Sequence, residues 1–343
     1  MNSRERVLAA LRREEPDRVP YCEMSIDRSL AARVLGWHEE PAPAIGIAQP
    51  PYTATEYHAL AAALHLDNVC YVIRPPIYAQ QRVGKDGRIY YGDGLIRCEA
   101  DLARVQLPDP HDDSLYADAR RFVSQKGDYA ACFVTRIGIF NVMLSMGLES
   151  FCLALYDNPR LVETLLDVYT AWAAVVAGRA CRMGFDVFIS SDDMAFNIAP
   201  YFSPAVFRRL VLPYHRRVAK QITLPWIMHS DGNLLPLVED ILSLGIAGLH
   251  PLEKGAMDIR AFKRAYGGRV CVLGNVDLNI LGMGTPEDVD LEVRGLIRDV
   301  GPGGGYIVTS GNSLAAYVTP ANALALGNSV QRQGRYPLVA EAS

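Results

Sequence analysis

A histidine and a carboxylate stand two residues apart directly after a short apolar segment. Residues 226–228 are Trp-Ile-Met, and His229, Ser230 and Asp231 follow them. At a strand end, such a histidine is suited to act as an oriented general base or as a metal ligand. Asp231 would then be a second ligand or the acceptor that fixes the imidazole ring. A histidine packed on the rim of the fold would have the same spacing, so both interpretations stay open.

Polar residues follow the other apolar segments of the second half in the same way. They are Arg136, Asp192 with Asp193, Glu253, Asn275 with Asp277, and Ser310 with Asn312. Any one of them is equally consistent with helix capping or with ordinary loop polarity. Together with His229 and Asp231, they follow six consecutive segments, and this recurrence favours a shared functional site. A histidine among carboxylate and amide oxygens would suit zinc acting as a Lewis acid, with Glu253 as one anionic oxygen ligand.

The elements that must position these residues alternate regularly from residue 129 onward. Apolar strands are predicted at 131–136, 186–191, 226–230, 247–251, 270–275 and 306–310, and helical patterns lie between them. Such β–α units predict a parallel sheet covered by helices. An open sheet would spread the polar strand ends along a line, whereas a barrel gathers them at one mouth. We therefore predict an α/β fold, a (β/α)8 TIM barrel that forms one domain over residues 1–343.

The N-terminal third of the chain does not show this regular alternation of strands and helices. A helix capped by Ser3 is predicted over 3–13, followed by strands at 19–23 and 68–73. Residues 39–57 have no clean period and indicate a loop with a short helix. KDG and GDG turns between residues 80 and 99 predict a small antiparallel meander. Residues 39–100 are thus expected to be an irregular loop and β-meander insertion, of the kind that forms a lid or a partner surface.

The bulk composition excludes several classes of function. The formal net charge of the 343 residues is −4, which gives no electrostatic reason to expect nucleic acid or a membrane surface as partner. The longest apolar stretch, 171–177, is well short of the roughly 20 residues that span a bilayer. Seven scattered cysteines without a CxxC pair suit a reducing compartment. We expect a cytoplasmic enzyme.

A glycine-rich segment, GPGGGY at 301–306, has the composition of a phosphate-binding loop. It precedes a predicted strand, however, whereas phosphate loops follow one. In a barrel it would therefore lie at the end opposite the active site. We interpret it as a tight turn from helix to strand.

Several long segments resemble the uroporphyrinogen decarboxylase superfamily. They are HSDGNLLPLVEDILSLGIAGLHPLEKGAMDIRAFKRAYGGRVCVLGNVD, GTPEDV, PGGGYIVTSGNS, ISSDDMAFNIAPYFSPAVFRRLVLPYHRRV and the opening SRERVLAALRREEPDRVP. The likeness covers both ends and the whole second half, while residues 24–130 match poorly. The resemblance implies a TIM barrel with its active site at the carboxyl ends of the strands.

Departures from the family patterns narrow the implied function. Uroporphyrinogen decarboxylases hold their substrate carboxylates with a motif of the type P-x-W-x-M-R-Q-A-G-R and use no metal. The matching region here, VPYCEMSIDRSLAARVLG, lacks that motif. Coenzyme M-specific methyltransferases of the superfamily bind zinc through His-x-Cys and a distant Cys. This chain keeps the histidine as His229, but Asp231 and Asn312 stand at the positions of the two thiolates.

An oxygen-rich site suits polarising an ether oxygen better than activating a thiol. In this respect the chain is similar to the methyl donor:corrinoid protein methyltransferases of O-demethylation systems. The resemblance implies a methyltransferase that moves a methyl group from a small donor, such as a methoxylated aromatic, to cobalt(I) of a corrinoid (cobalamin) on a partner protein, assisted by zinc. A homodimer is the default assembly for such an enzyme.

Roles for the strand-end residues follow from this resemblance. The implied metal ligands are His229, Glu253 and Asn312, with Asp231 as an alternative. The implied catalytic residues, which protonate the leaving group or orient the donor, are Asp192, Asp193, Asp231 and Tyr306. The implied substrate-binding residues are Arg136, Asn275 and Ser310.

Two other functions fit the same residues. In a metal-free decarboxylase or lyase, Arg136 would clamp a substrate carboxylate while Asp192 and His229 exchange protons. That enzyme would keep its activity in the presence of a chelator. The other alternative is a non-catalytic accessory protein with the same fold, because a member of a superfamily can keep its fold after losing its catalytic activity. It would bind no metal and turn over no substrate.

Overall fold

The apolar segments predicted as strands are buried in a computed structural model that describes residues 1–38, 51–84 and 89–338. The predicted loop at 39–50 and the KDG turn at 85–87 lie outside these residues. Nine strands occur in the described part: β1 (Asn68–Val72), β2 (Ala79–Val83), β3 (Ile89–Gly94), β4 (Ala130–Thr135), β5 (Val187–Ser191), β6 (Trp226–His229), β7 (Gly248–His250), β8 (Cys271–Leu273) and β9 (Tyr306–Ile307).

Seven of these strands form one parallel sheet in the order β1-β4-β5-β6-β7-β8-β9. Spatial order equals chain order, as repeated right-handed β–α units produce. The predicted α/β fold with a TIM-barrel-like sheet is confirmed at this level. The sheet has seven regular strands, however, and its ladder does not close into the predicted eight-stranded barrel.

The predicted strand at 19–23 is present only as isolated bridges. Val308 N donates to Pro20 O over 2.9 Å, and Asp67 N donates to Tyr21 O over 2.7 Å. The segment is therefore hydrogen-bonded both to the chain beside β9 and to the chain beside β1. Its short pairing gives no regular ladder, because only Tyr21 bridges to Val308.

A buried carboxylate holds this segment in place. Asp67 is fully buried and accepts hydrogen bonds from Arg6 Nη1 at 2.7 Å, Arg18 Nη1 at 2.8 Å and Tyr21 N at 2.9 Å. Burial of a carboxylate is tolerated only with such partners. The two ion pairs therefore connect the first helix and the segment 19–23 to the start of β1.

A second buried carboxylate ends the segment. Glu23 is fully buried and accepts hydrogen bonds from Ser310 N at 2.8 Å and Ser310 Oγ at 2.7 Å. Burial raises the pKa of Glu23 from 4.5 to about 7, although the Ser310 hydrogen bonds oppose the shift. Between these two pH values the folded chain holds a proton that the unfolded chain has lost.

Glu23→Gln should therefore change the pH dependence of stability. Folding raises the pKa of this carboxyl group, so its contribution to the stability of the fold is present below pH 4.5. That contribution is lost as the pH rises through about 7. Relative to Glu23→Gln, the wild type should lose about 2 kcal/mol of unfolding free energy between about pH 5.5 and pH 8. Urea unfolding of both proteins measures this difference. Glu287→Gln, at an exposed glutamate, should leave the wild-type pH dependence unchanged.

Helices connect the strands and cover the sheet. Fourteen α-helices occur in the described residues: α1 (Ser3–Leu11), α2 (Arg28–Leu35), α3 (Ala54–Leu64), α4 (Ala117–Ser124), α5 (Ile139–Met146), α6 (Leu148–Asp157), α7 (Pro159–Ala180), α8 (Pro204–Val206), α9 (Leu212–Ala219), α10 (Val238–Leu242), α11 (Ile259–Tyr266), α12 (Leu278–Met283), α13 (Pro286–Val300) and α14 (Pro320–Gln333). Short 3-10 helices lie at Glu99–Arg104, Asp113–Tyr116 and Leu235–Leu237, and a π turn at Phe207–Val211 joins α8 to α9.

Helix caps confirm some predicted boundaries and correct others. α7 begins after Asn158, whose side chain accepts from Leu161 N, as its Asn-Pro start predicts. The prediction of Ser3 as the cap of α1 is wrong, because Asn2 caps it in a reciprocal pair with Glu5. α7 is long and apolar enough to cross a membrane by length and composition, but 61% of its apolar window is buried inside the molecule. It packs as a core helix.

The inserted hairpin of β2 and β3 is antiparallel, as predicted. Tyr78 N donates to Ser145 Oγ over 3.0 Å, and Ile96 N donates to Ser145 O over 2.9 Å. Both ends of the hairpin are therefore attached to α5, the helix that follows β4. The glycine-rich segment connects α13 to β9 as the predicted turn, with positive φ at Gly303, Gly304 and Gly305.

Candidate metal and substrate site

The carboxyl ends of β5 and β6 bring a histidine and two carboxylates together. His229 Nε2 lies 3.5 Å from Asp193 Oδ1 and 3.8 Å from Asp231 Oδ1. One ligand atom from each residue fits within 4.8 Å of the others. The two strands are neighbours in the parallel sheet, with Ser191 paired to His229, so residues just beyond their ends converge.

This spacing fits a metal ion. In a tetrahedral zinc site with bonds of about 2.1 Å, neighbouring ligand atoms are about 3.4 Å apart. Asp231 Oδ1 is buried and has no hydrogen-bond partner among the described residues, as a carboxylate oxygen reserved for a ligand would be. One imidazole nitrogen and two carboxylate oxygens leave coordination positions open for a substrate atom.

The electrostatics of the cluster also favour a cation. Burial raises the pKa of Asp231 to about 8, and the charges of Asp193 and Glu253 add to the shift. Asn312 Nδ2 donates a hydrogen bond to Asp231 Oδ2, which opposes the shift and orients the carboxylate. Carboxylates crowded in this way repel one another unless a cation or a proton lies between them.

Backbone contacts fix the relative positions of the loops. Asp231 N donates to Asp193 Oδ1 over 3.0 Å, and Gly232 N donates to Glu253 Oε2 over 2.6 Å. Gly232 has φ +87°, and a Cβ there would lie 2.5 Å from Ala195 O. Only glycine permits this approach. The loops after β5, β6 and β7 are therefore locked together, and Glu253 uses one oxygen to hold them.

His250 contacts the imidazole ring of His229 on its Nδ1 side, opposite the Nε2 atom that faces Asp193 and Asp231. Their Nδ1 atoms are 2.7 Å apart, and both rings are buried at neighbouring positions of β6 and β7. At the level of sequence, His250 is interpreted as a core or wall residue because it lies inside the predicted strand at 247–251, and this contact is not predicted. For His229 to bind a metal through Nε2, its proton must be on Nδ1 and donated to His250. Burial lowers the pKa of both histidines, which favours the neutral rings that this arrangement requires.

Replacing His250 should weaken metal binding without removing a ligand. His250→Leu removes the acceptor for His229 Nδ1–H, and we expect zinc affinity to fall about 10- to 100-fold. His250→Asn keeps an acceptor oxygen and should recover part of the loss. Competition with a chromogenic chelator measures both affinities. Wild-type zinc affinity in His250→Leu would show that the pair does not orient the ring.

Asp192 has a different environment from Asp193. It is fully buried and accepts from Ile137 N at 2.7 Å, Gly138 N at 3.1 Å and Phe140 N at 3.2 Å. Burial raises its pKa to about 6 in spite of these bonds. Its carboxylate fixes the loop after β4. The predicted catalytic role of Asp192 is not tested by these contacts and stays a prediction.

Three other predicted site residues form hydrogen bonds within the fold. Tyr306 Oη donates to Gly274 O over 2.6 Å, and Asn275 Nδ2 donates to Leu252 O. Ser310 donates to Glu23, as described above. The structure does not bring these side chains into the Asp193–His229–Asp231 cluster, and their catalytic and substrate-binding roles stay predictions.

A cavity of about 260 Å³ adjoins the cluster. Its wall includes Asp193, His229 and Asn312, together with Arg74 and Arg136. Sequence reasoning singled out Arg136 but missed Arg74. The same strand-end rule would have found Arg74, which follows the predicted strand at 68–73 directly.

Comparison with protein families places the chain among known relatives. The family model for uroporphyrinogen decarboxylase (URO-D) matches residues 83–333. A uroporphyrinogen decarboxylase from Alkalilimnicola ehrlichii is 26% identical over 265 residues, which cover 70% of this chain and 68% of the relative. A methylated-thiol–coenzyme M methyltransferase from Methanosarcina mazei is 24% identical over 147 residues, or 42% of this chain and 38% of the relative.

Solved structures support the fold. A methyltransferase from Methanosarcina mazei superimposes with a TM-score of 0.74 at 19% identity, covering 97% of this chain and 99% of that one. A B12-independent methionine synthase from a Shewanella species has a TM-score of 0.53 at 10% identity, covering 92% and 97%. The described fold is therefore shared with methyltransferases over nearly its whole length.

Proposed function

The chain belongs to the uroporphyrinogen decarboxylase family, and we propose that it is a methyltransferase that moves a methyl group from a small oxygen-linked donor to a corrinoid on a partner protein. The similarity to methyltransferases in sequence and in fold supports the methyltransferase branch. The observation that carries the proposal is the cluster of Asp193, His229 and Asp231, which replaces a thiolate-rich site with oxygen ligands.

Zinc is the proposed metal, and Asp193, His229 and Asp231 would hold it. This set keeps His229 and the alternative ligand Asp231 from the sequence interpretation and adds Asp193. Asn312 donates to Asp231, and Glu253 accepts from Gly232 N, so we propose that these two predicted ligands orient Asp231 and the loop at Gly232. When bound, zinc supplies Lewis-acid polarisation of the donor oxygen.

The proposed transfer breaks the bond between the donor oxygen and the methyl carbon. Cobalt(I) supplies the electron pair of the new carbon–cobalt bond, and the oxygen keeps the pair of the broken bond and takes up a proton. The chain's own residues bind and orient the donor at the mouth. The Asp192 carboxylate holds the loop that carries Phe140, and His250 holds the ring of His229.

The cavity supports a small donor. Its volume of about 260 Å³ lies below the range of about 300–1,000 Å³ that is usual for ligand pockets. A single-ring molecule fits this space, whereas a four-ring macrocycle requires more. The missing arginine motif in VPYCEMSIDRSLAARVLG points the same way.

The rim of the mouth supports a protein partner. Phe196 is 50% exposed and Ile198 is 86% exposed in the loop after β5. Asn233 N donates to Phe196 O and Asn233 Nδ2 to Ile198 O, so the loop is held against the turn that follows His229. Exposed apolar side chains at a rim are typical of interaction surfaces. We propose that the corrinoid protein docks here.

The segment 19–23 would act as the eighth strand, completing a single barrel domain over 1–343 with an insertion at about 39–100. The enzyme would work in the cytoplasm as a homodimer, without a nucleic-acid or membrane partner.

A second candidate function is metal-free acid–base chemistry on a carboxylated substrate. The observation that favours it is the pair of Arg74 and Arg136 in the cavity wall, which could bind a substrate carboxylate. The two functions differ in their dependence on metal and corrinoid.

The distinguishing experiment uses purified protein with cob(I)alamin and a panel of methoxylated arenes. The proposal expects methylcobalamin to form, as seen in its absorbance spectrum, only after zinc loading. Turnover that survives chelation, with carbon dioxide released and no methylcobalamin formed, would favour the second function.

A further inference from the structure

The arginine side of the cavity lies next to the metal cluster but has a different chemistry. Arg136 is 3% exposed, and its Nε has no hydrogen-bond partner among the described residues. It also makes no ion pair with any residue that the structure describes. A buried cation without a counterion is costly unless an anion joins it.

The neighbouring acids are already engaged by other groups. Asp192 accepts hydrogen bonds from three backbone amides of the loop after β4. Asp193 accepts from Asp231 N and faces His229. The charges of both acids act on Arg136 from a distance, but neither forms a direct pair with it.

A second arginine adds to the positive charge at this place. Arg74 lines the same cavity, and burial together with the charge of Arg136 lowers the pKa of Arg74 to about 9. Two guanidinium groups in the wall of one small cavity form a site for an anion. Planar guanidinium groups match the paired oxygens of a carboxylate.

The cavity wall also positions the organic part of such a ligand. The Arg136 guanidinium carbon lies 4.7 Å from the centre of the Phe140 ring, which holds it over an aromatic face. Phe140 is itself part of the wall. The cavity therefore offers a charged end, an apolar side and the metal cluster within one small volume.

We propose that Arg74 and Arg136 bind a carboxylate of the methyl donor, so that the donor is a small aromatic acid held by its charge at one end of the cavity. This inference rests on the proposed function for the identity of the ligand as donor. The anion-binding site itself does not depend on zinc or on corrinoid.

The test compares benzoate with its neutral analogue benzamide by calorimetry on the full chain. Benzoate should bind the wild type, and benzamide should bind at least about 10-fold more weakly. Arg136→Met should weaken benzoate binding about 10- to 100-fold. Arg82→Met, at an exposed arginine of the hairpin outside the cavity wall, should leave it unchanged.

Equal affinity for benzoate and benzamide in the wild type would overturn the inference, and this result does not depend on the folding of any variant. Wild-type benzoate affinity in a folded Arg136→Met protein would overturn it as well. His229→Ala separates the two proposals, because benzoate binding should persist there. Benzoate binding with no methyl transfer and no zinc would reject the proposed function and keep the carboxylate site.

Discussion

His229→Ala should abolish both zinc binding and methyl transfer. Zinc content should fall from about one ion per chain to near zero, because the variant loses the only nitrogen ligand of the cluster. The rate of methyl transfer should fall by about 1,000-fold, which corresponds to roughly 4 kcal/mol of transition-state stabilisation from the metal. Metal analysis and methylcobalamin formation give the two readouts.

The matched control for this variant is His65→Asn. His65 is on the surface, ends α3 in the left-handed conformation and contacts Asn328. Asparagine tolerates that conformation, so the control should fold and keep both zinc and activity. If His229→Ala retained stoichiometric zinc and wild-type transfer, the assignment of the cluster as the metal site would be wrong.

Asp231→Asn should stabilise the metal-free protein while weakening zinc binding. In the metal-free protein, burial and the charges of Asp193 and Glu253 raise the pKa of Asp231 to about 8, so folding at neutral pH requires this carboxyl group to take up a proton, and asparagine, which is always neutral, avoids that cost. We expect a gain of about 1 kcal/mol in unfolding free energy in the presence of chelator. Asparagine can still accept the hydrogen bond of Asn312, so the loop geometry should be preserved.

Zinc should then reverse the order of stability of the two proteins, because it should stabilise the wild type and not Asp231→Asn. A ligand at 100 times its dissociation constant stabilises the folded state by about 2.7 kcal/mol. The wild type should gain this amount and Asp231→Asn should not, because its zinc affinity is expected to fall at least about 100-fold. Thermal unfolding with chelator and with zinc measures both states. Asp277→Asn, which keeps the cap of α12, is the control and should gain as much from zinc as the wild type.

If zinc stabilised Asp231→Asn as much as it stabilises the wild type, Asp231 would not be a zinc ligand. A loss of stability in the chelated variant would show that the carboxylates do not repel one another.

The location of the site follows from sequence because parallel strands carry their loops to one end. Apolar runs ending in Asp193, His229 and Glu253 lie on the neighbouring strands β5, β6 and β7, so their meeting is a consequence of strand order. That order is predictable from the β–α rhythm. The same rule identifies Arg74 when it is applied to β1.

The division of roles among these residues does not follow from sequence. Whether a carboxylate is a ligand or a positioning group depends on loop geometry of a few tenths of an ångström. Asn312 reaches Asp231 across 81 positions of the chain, and Glu253 reaches a backbone amide. The pairing of His229 with His250 requires the register of β6 on β7, which apolar patterns leave undetermined.

Some boundaries of helices and strands also cannot be predicted from the apolar periodicity. After the predicted strand at 131–136, the apolar spacing predicts one helix through about residue 156, but the chain breaks at Gly147 into α5 and α6, which are bent by 103°. The apolar spacing continues across the break, so periodicity alone cannot reveal it. The strand at 19–23 is held by Asp67 and its two arginine partners, contacts that become visible only in three dimensions.

X-ray absorption at the zinc edge of the zinc-loaded protein tests whether Asp193, His229 and Asp231 hold zinc. We expect one zinc per chain, with nitrogen and oxygen neighbours at about 2.0–2.2 Å and a single imidazole contribution. A sulfur shell at about 2.3 Å would contradict it, because the described cluster contains no thiolate.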